Sequence, residues 1–149
     1  MTPQQTLSRL LTEGVPLFLN SVSAVPNDKL DWVPTEGART ARQLITEAVM
    51  MPAYTALALV QRQVPEYGEF SERYKAMSVP ELLRQLTVNA QQLSEVINAF
   101  PESEFDNTLT APWGTWTYFQ TMSYPYWNLM WHTGQINYIQ TLYGDQTHY

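Results

Sequence analysis

Residues 118–144 read YFQTMSYPYWNLMWHTGQINYIQTLYG, without one Asp, Glu, Lys or Arg, and the uncharged run begins as far back as Asn107. The stretch is not greasy, because Trp, Tyr, Asn, Gln and Thr fill it. Its pattern predicts one long helix from about Tyr118 to Tyr143, with Gly144 where a left-handed C-terminal cap belongs and Pro125 kinking the first half. A surface helix carries a charged face. A helix this long without one must be covered on most sides, by other helices and by a second copy of the chain. That requirement points to helices packed on helices.

Working back toward the N-terminus, three more segments read as helices, and no alternating strand pattern competes with them. The first runs from about Pro3 to Val22, with Thr2 as N-cap, Pro3 at the first helical position, and a stripe of Leu7, Leu10, Leu11, Phe18 and Val22. Pro16 is expected to kink it. The second starts with the capping box Thr40-Ala-Arg-Gln43 and runs to about Gln63, bent at Pro52. The third starts with a second capping box, Ser78-Val-Pro-Glu81, and carries Leu82, Leu83, Leu86, Leu93, Val96, Ile97 and Phe100 as far as Pro101. Residues 26–37 and 102–117 read as connectors, the latter long and holding Trp113-Gly-Thr-Trp116. The expected architecture is all-α: an up-down four-helix bundle in one domain over residues 1–144, with a short tail over 145–149. Glu66, Glu69, Glu72 and Glu81 read as a solvated acidic stretch.

Composition bounds the function. With 149 residues, 44% of them hydrophobic, the chain can bury roughly 70% of its unfolded surface and needs no staples. It has no cysteine, which excludes disulfides, thiolate metal sites and thiol nucleophiles. A net charge of -6 with eight scattered basic residues offers no patch for phosphates, so no nucleic-acid partner is expected. The longest apolar stretch, Leu44 to Val60, is interrupted by Glu47 and Pro52 and falls short of the ~20 residues of a span; with no signal peptide evident, a cytoplasmic location away from membranes is expected.

Glu47 stands out as the single charge in that stretch. Its helical neighbours are Gln43, Leu44, Met50, Met51 and Tyr54. A carboxylate on an apolar face costs several kcal/mol unless it is partnered or neutralised. On the last helix Tyr124, Asn128, Trp131, His132, Gln135, Ile139 and Leu142 fall on or near one face, so an aromatic face carries a polar patch of Asn128, His132 and Gln135. One reading brings Glu47, Asn128 and His132 together as a site between facing helices, with Tyr54, Tyr124, Trp131 and Gln135 shaping a pocket. The plainer reading is a Glu–His or Glu–Asn hydrogen bond filling a polar gap in the core. Trp113 and Trp116 either clamp the long connector to the bundle or form a pocket lid, and His148 reads as a solvated tail residue.

Two motifs resemble the DinB/YfiT-like proteins of the DinB superfamily. Leu30-Asp-Trp-Val-Pro34 with Ala38-Arg-Thr-Ala-Arg-Gln-Leu-Ile45 resembles the entry to that family's second helix. Trp131-His-Thr-Gly-Gln-Ile-Asn-Tyr-Ile-Gln-Thr-Leu-Tyr-Gly144 resembles its closing motif, a His–Arg–Gly–Gln run followed by an apolar helix. The resemblance implies a four-helix bundle, often a homodimer, and in many members a divalent metal on three histidines. Those positions fall on Glu47, Asn128 and His132, of which only His132 keeps the histidine, and Thr133 stands where many members have arginine. The implied function is that of a metal-dependent transferase or hydrolase acting on a small molecule, with a degenerate site for one zinc, nickel or manganese ion and a low-molecular-weight thiol as co-substrate. The alternative is a small-molecule-binding or structural helical dimer with no bound metal.

Overall fold

The computed structural model describes residues 1–147, so His148 lies outside the described residues. Among them are five α-helices and one hairpin: α1 (Pro3–Ser23), α2 (Ala41–Gln61), α3 (Tyr67–Lys75), α4 (Val79–Ala99), β1 (Thr108–Ala111), β2 (Gly114–Thr117) and α5 (Tyr118–Leu142). Four helices make the expected bundle. Each begins where its sequence offers a capping box: Thr2 with Gln5, Thr40 with Gln43, Ser78 with Glu81, and Thr117 with Gln120. Each side chain of a pair satisfies a backbone N–H that the first helical turn leaves free. Helices α1, α2 and α5 run through Pro16, Pro52 and Pro125 without ending.

The chain directions refine the simple up-down order. Gln4 of α1 donates to the Phe100 carbonyl beyond the end of α4, and Ser8 donates to the carbonyl of Ser94, so α1 and α4 are antiparallel. Gly14 faces Leu129 and Met130, while Gln140 donates to the Ser21 carbonyl at 3.0 Å, so α1 and α5 are parallel. Asn89 meets Val49, and the Arg62 guanidinium lies 4.1 Å from the Phe100 ring centre, so α2 and α4 are parallel too. The order is therefore up, down, down, up, with α2 and α1 each packed between α4 and α5. Parallel neighbours cannot be joined by a tight turn. Residues 62–78 make the return journey, and α3 folds within them.

The acidic stretch is thus a helix with two faces. Glu66, Glu69 and Glu72 are exposed as expected, but Phe70, Ser71 and Tyr74 turn inward on the opposite side. The long connector also holds structure beyond the sequence-based expectation. Thr108-Leu-Thr-Ala pairs antiparallel with Gly114-Thr-Trp-Thr, Leu109 opposite Trp116, across a turn at Pro112-Trp113. Gly114 takes φ 142°, a backbone region that suits glycine.

The core is apolar and continuous, with Phe18, Leu44, Ile45, Leu59, Leu86, Leu93, Leu129 and Ile136 fully enclosed. By length and composition α2 could cross a membrane, contrary to the shorter span expected from sequence, but 67% of its most apolar window is buried in the bundle. Gly14 marks the closest approach of α1 to α5: a Cβ there would sit 3.1 Å from the Met130 methyl and 3.3 Å from Leu129.

One buried polar residue ties three helices. The Asn89 amide donates to the Val49 carbonyl at 2.8 Å and to the Tyr74 hydroxyl at 3.2 Å, and its oxygen accepts from Gln85 at 2.8 Å. Replacing it leaves the Val49 carbonyl and Tyr74 hydroxyl short of a donor in a dry setting. Asn89→Ala is expected to lower the unfolding free energy by about 2 kcal/mol, measured by urea titration; an unchanged midpoint would show that the tie carries no weight.

Candidate functional site

Glu47 sits in the second turn of α2, facing α5. Its Oε1 accepts from the Asn128 amide at 3.0 Å and lies 3.3 Å from His132 Nε2. Its Oε2 lies 2.7 Å from Arg39 Nη2. Arg39 precedes the N-cap of α2 and lies back along its first turns, donating also to the Gln43 carbonyl. Asn128 and His132 are one turn apart on α5, with Asn128 Nδ2 and His132 Nε2 at 3.2 Å. Asn128 Nδ2 also lies 3.4 Å from the Tyr124 hydroxyl. Gln135, one turn further on, closes the far side of the imidazole: its Oε1 is 2.7 Å from His132 Nδ1. An Nδ1–H directed at that oxygen turns Nε2 toward Glu47 and Asn128. The three residues expected from sequence thus meet between two helices, and Gln135 orients one of them.

The other sequence candidates divide. Tyr54 and Tyr124 line a cavity of about 350 Å³ beside Glu47. Trp131 does not. It is 70% exposed and points to solvent, whereas the adjacent His132 is 4% exposed. The correction follows from helix geometry, since consecutive side chains diverge by about 100°. The cavity walls that sequence reasoning leaves undecided come from the hairpin. Trp113 and Trp116 both face the cavity, and Trp116 stands edge-on to Tyr124 with ring centres 5.1 Å apart. Tyr67, from α3, completes the opposite wall against Tyr54 at 5.8 Å. The alternation Thr-Leu-Thr against Thr-Trp-Thr around Pro-Trp-Gly is the signal that could have revealed the hairpin.

The electrostatics centre on Glu47. The hydrogen bond with His132 holds its carboxyl down at about 2, helped by electrostatic attraction toward His132 and Arg39 and by the Asn128 amide, against the burial that pushes it up. Burial raises the Tyr67 and Tyr124 phenols, and the negative charge of Glu47 raises them further.

The family profile of the DinB superfamily matches residues 11–136, and the chain belongs to that superfamily. Solved structures agree in fold. YfiT from Bacillus subtilis, described as a probable metal-dependent hydrolase with an unusual four-helix bundle topology, superposes with a TM-score of 0.80 at 14% identity, over 95% of this chain and 87% of that one. A DinB-family protein from Exiguobacterium sibiricum gives 0.76 at 17% identity, over 99% and 95%. A mycothiol-dependent maleylpyruvate isomerase gives 0.64 at 14% identity, over 91% of this chain and 61% of the isomerase. No curated protein matches the sequence.

The donor set here does not fit a firmly held dication. Among the described residues no three His, Cys, Asp or Glu side chains gather. The third member of the cluster is an amide, a weak ligand for zinc or nickel. Asn128 turns its NH2, not its oxygen, toward Glu47 and His132. Turning the amide over would set oxygen against the Glu47 carboxylate, so the orientation follows from charge. The Glu47 oxygen that remains is held by a guanidinium.

Because the folded-state value of Glu47 lies below its ordinary 4.5, the unfolded chain binds that proton more tightly. Its contribution to stability is full above about pH 4.5 and is lost as pH falls toward about 2. Wild type is therefore expected to be more stable than Glu47→Gln at neutral pH, with the gap closing across that window. Urea midpoints of both proteins at stepped pH check this, and a gap indifferent to pH would contradict it.

Proposed function

We propose that this DinB-superfamily protein binds a small organic molecule in the cavity capped by the hairpin and holds no resident transition metal. The observation that carries the reading is the 2.7 Å ion pair between Arg39 and Glu47, at the position where the family resemblance would put a histidine ligand. A guanidinium supplies the positive charge there that a metal would otherwise bring. Several observations favour binding over catalysis. His132 is buried and does not line the cavity. Of the acid, amide and imidazole cluster only Glu47 reaches it. The walls are mostly apolar and aromatic, as small-molecule sites are, and edge-on ring contacts hold their geometry. Metal-dependent hydrolase and thiol-dependent chemistry belong to relatives by description, and the site residues here do not supply the ligands for it.

Protein purified without a histidine tag and dialysed against zinc, nickel or manganese is expected to carry no stoichiometric metal and to keep its melting temperature. One bound equivalent that disappears in His132→Ala would overturn the reading.

We infer also that two copies pair through α5. Trp127, Trp131, Tyr138 and Leu142 are exposed and recur at helical spacing on one face. Gly134 lies between them on the same face, with no atom within 4 Å of where its Cβ would stand. Broad aromatic side chains around a flat spot suit a self-complementary interface. Light scattering is expected to give twice the chain mass, reduced to one chain by Trp131→Glu. A wild-type mass of one chain at high concentration would refute the pairing.

A further inference from the structure

The cavity has an unusual balance of charge and ring surface. Five aromatic side chains, Tyr54, Tyr67, Trp113, Trp116 and Tyr124, line it; among the described residues its only charged lining group is Glu47, and no Lys, Arg or His lines it. The cations stand on the other side of that carboxylate. Arg39, Arg42 and Lys75 line a separate cleft that shares Glu47 and Tyr67 with the cavity as its partition. Glu47 therefore shows the cavity the negative end of its pair with Arg39. The phenols register this: at both Tyr67 and Tyr124, after burial, Glu47 acts more strongly than the opposing Arg39.

The carboxylate is also not saturated. Two oxygens offer about four lone-pair sites, and three contacts use them: Asn128 and His132 on Oε1, Arg39 on Oε2. An apolar occupant would strip water from what remains and return nothing. An anion would meet a carboxylate with no cation lining the cavity to offset it. A cation would be attracted by that carboxylate and by any of the five rings it lies over, because a ring face carries the negative lobe of its quadrupole.

We propose that the cavity recognises an organic cation, a protonated or quaternary amine carried on a small alkyl or aryl body. The ammonium lies against the aromatic faces within reach of Glu47, and the body packs on Met51, Ala58, Val64 and Leu109 of the apolar wall. At about 350 Å³ the space suits a small ligand, near the lower end of the usual range. This assignment rests on the cavity being the ligand site.

Three probes of one shape separate the two ideas: phenylpropylammonium, phenylpropanol and phenylpropanoate, titrated calorimetrically into the full chain with Trp fluorescence read in parallel. The ammonium is expected to bind about 10-fold tighter than the alcohol, and the carboxylate weakest. Trp113→Leu keeps an apolar wall but removes a ring face at the exposed rim. It is expected to weaken the ammonium about 5-fold and leave the alcohol unchanged. Glu47→Gln is expected to erase most of the charge preference; if that variant fails to fold, Trp113→Leu decides alone. Alcohol or carboxylate binding as tightly as the ammonium would overturn the cation assignment and leave the cavity as a ligand site. Binding of none of the three, with unchanged fluorescence, would overturn both.

Discussion

A carboxylate within an apolar helix is the constraint on which the functional half of this structure depends. Glu47 sits among Leu44, Met50 and Met51 on the most apolar helix of the bundle. There it would cost several kcal/mol if left alone. Its compensation comes from three places: Arg39 before α2, and Asn128 and His132 one turn apart on α5. Two of these partners are themselves fixed. Arg39 also bonds the Gln43 carbonyl, and Gln135 holds the far nitrogen of His132. The network pins the relative rotation of α2 and α5 as apolar packing alone would not, because hydrophobic contact has no direction and charged hydrogen bonds do.

The chain path then decides what lies beside that network. With α2 and α5 antiparallel, the C-terminal half of α2 faces the N-terminal half of α5. Arg62 at the end of α2 reaches the Tyr118 ring at the start of α5, 5.5 Å away. The two returns of the chain, α3 with its flanking loops and the β1–β2 hairpin, lie over this same end. They add Tyr67 on one side and Trp113 and Trp116 on the other. The cavity is thus a product of topology. Parallel neighbours α2 and α4 force a long connection, which brings Tyr67, and the separate connection from α4 to α5 brings Trp113 and Trp116.

The bundle is legible in the sequence because its signals are local and redundant. Two capping boxes, an N-cap followed by proline, and one missing class of residue, the charges of 107–144, mark its helices without reference to anything distant. Glu47 is legible as needing a partner for the same reason: an isolated acid on an apolar face leaves few alternatives to the polar patch of Asn128, His132 and Gln135 on the last helix. What escapes is non-local. The inward face of α3 rests on two aromatics and a serine within a strongly acidic stretch, too weak a stripe to outweigh its charges. The hairpin strands are four residues each, at the lower limit at which alternation can be read. Trp131 is misassigned from sequence because an uncharged helix looks alike on every side, and only packing tells which side stays open. Arg39 belongs to a recognisable motif yet gives no sign of its partner, since eight residues separate it from Glu47 and its reach depends on how its side chain lies along the helix.

The residues at the positions where the family resemblance implies histidines form a consistent set when charge is followed through them. A neutral imidazole exchanged for a carboxylate at position 47 adds one negative charge to a half-buried site. An amide at 128 cannot balance it, and its NH2 can only point the way that donates. Balance then requires a cation within a few ångströms, and Arg39 provides one that is permanently charged and needs no exogenous partner. A dication arriving at Glu47 would have to displace that guanidinium, turn the amide over and accept a single imidazole as its only nitrogen ligand. Each of these changes opposes the next. The same arrangement leaves Glu47 as the one charged group lining the cavity among the described residues, and the proposed preference for an organic cation follows from that pole.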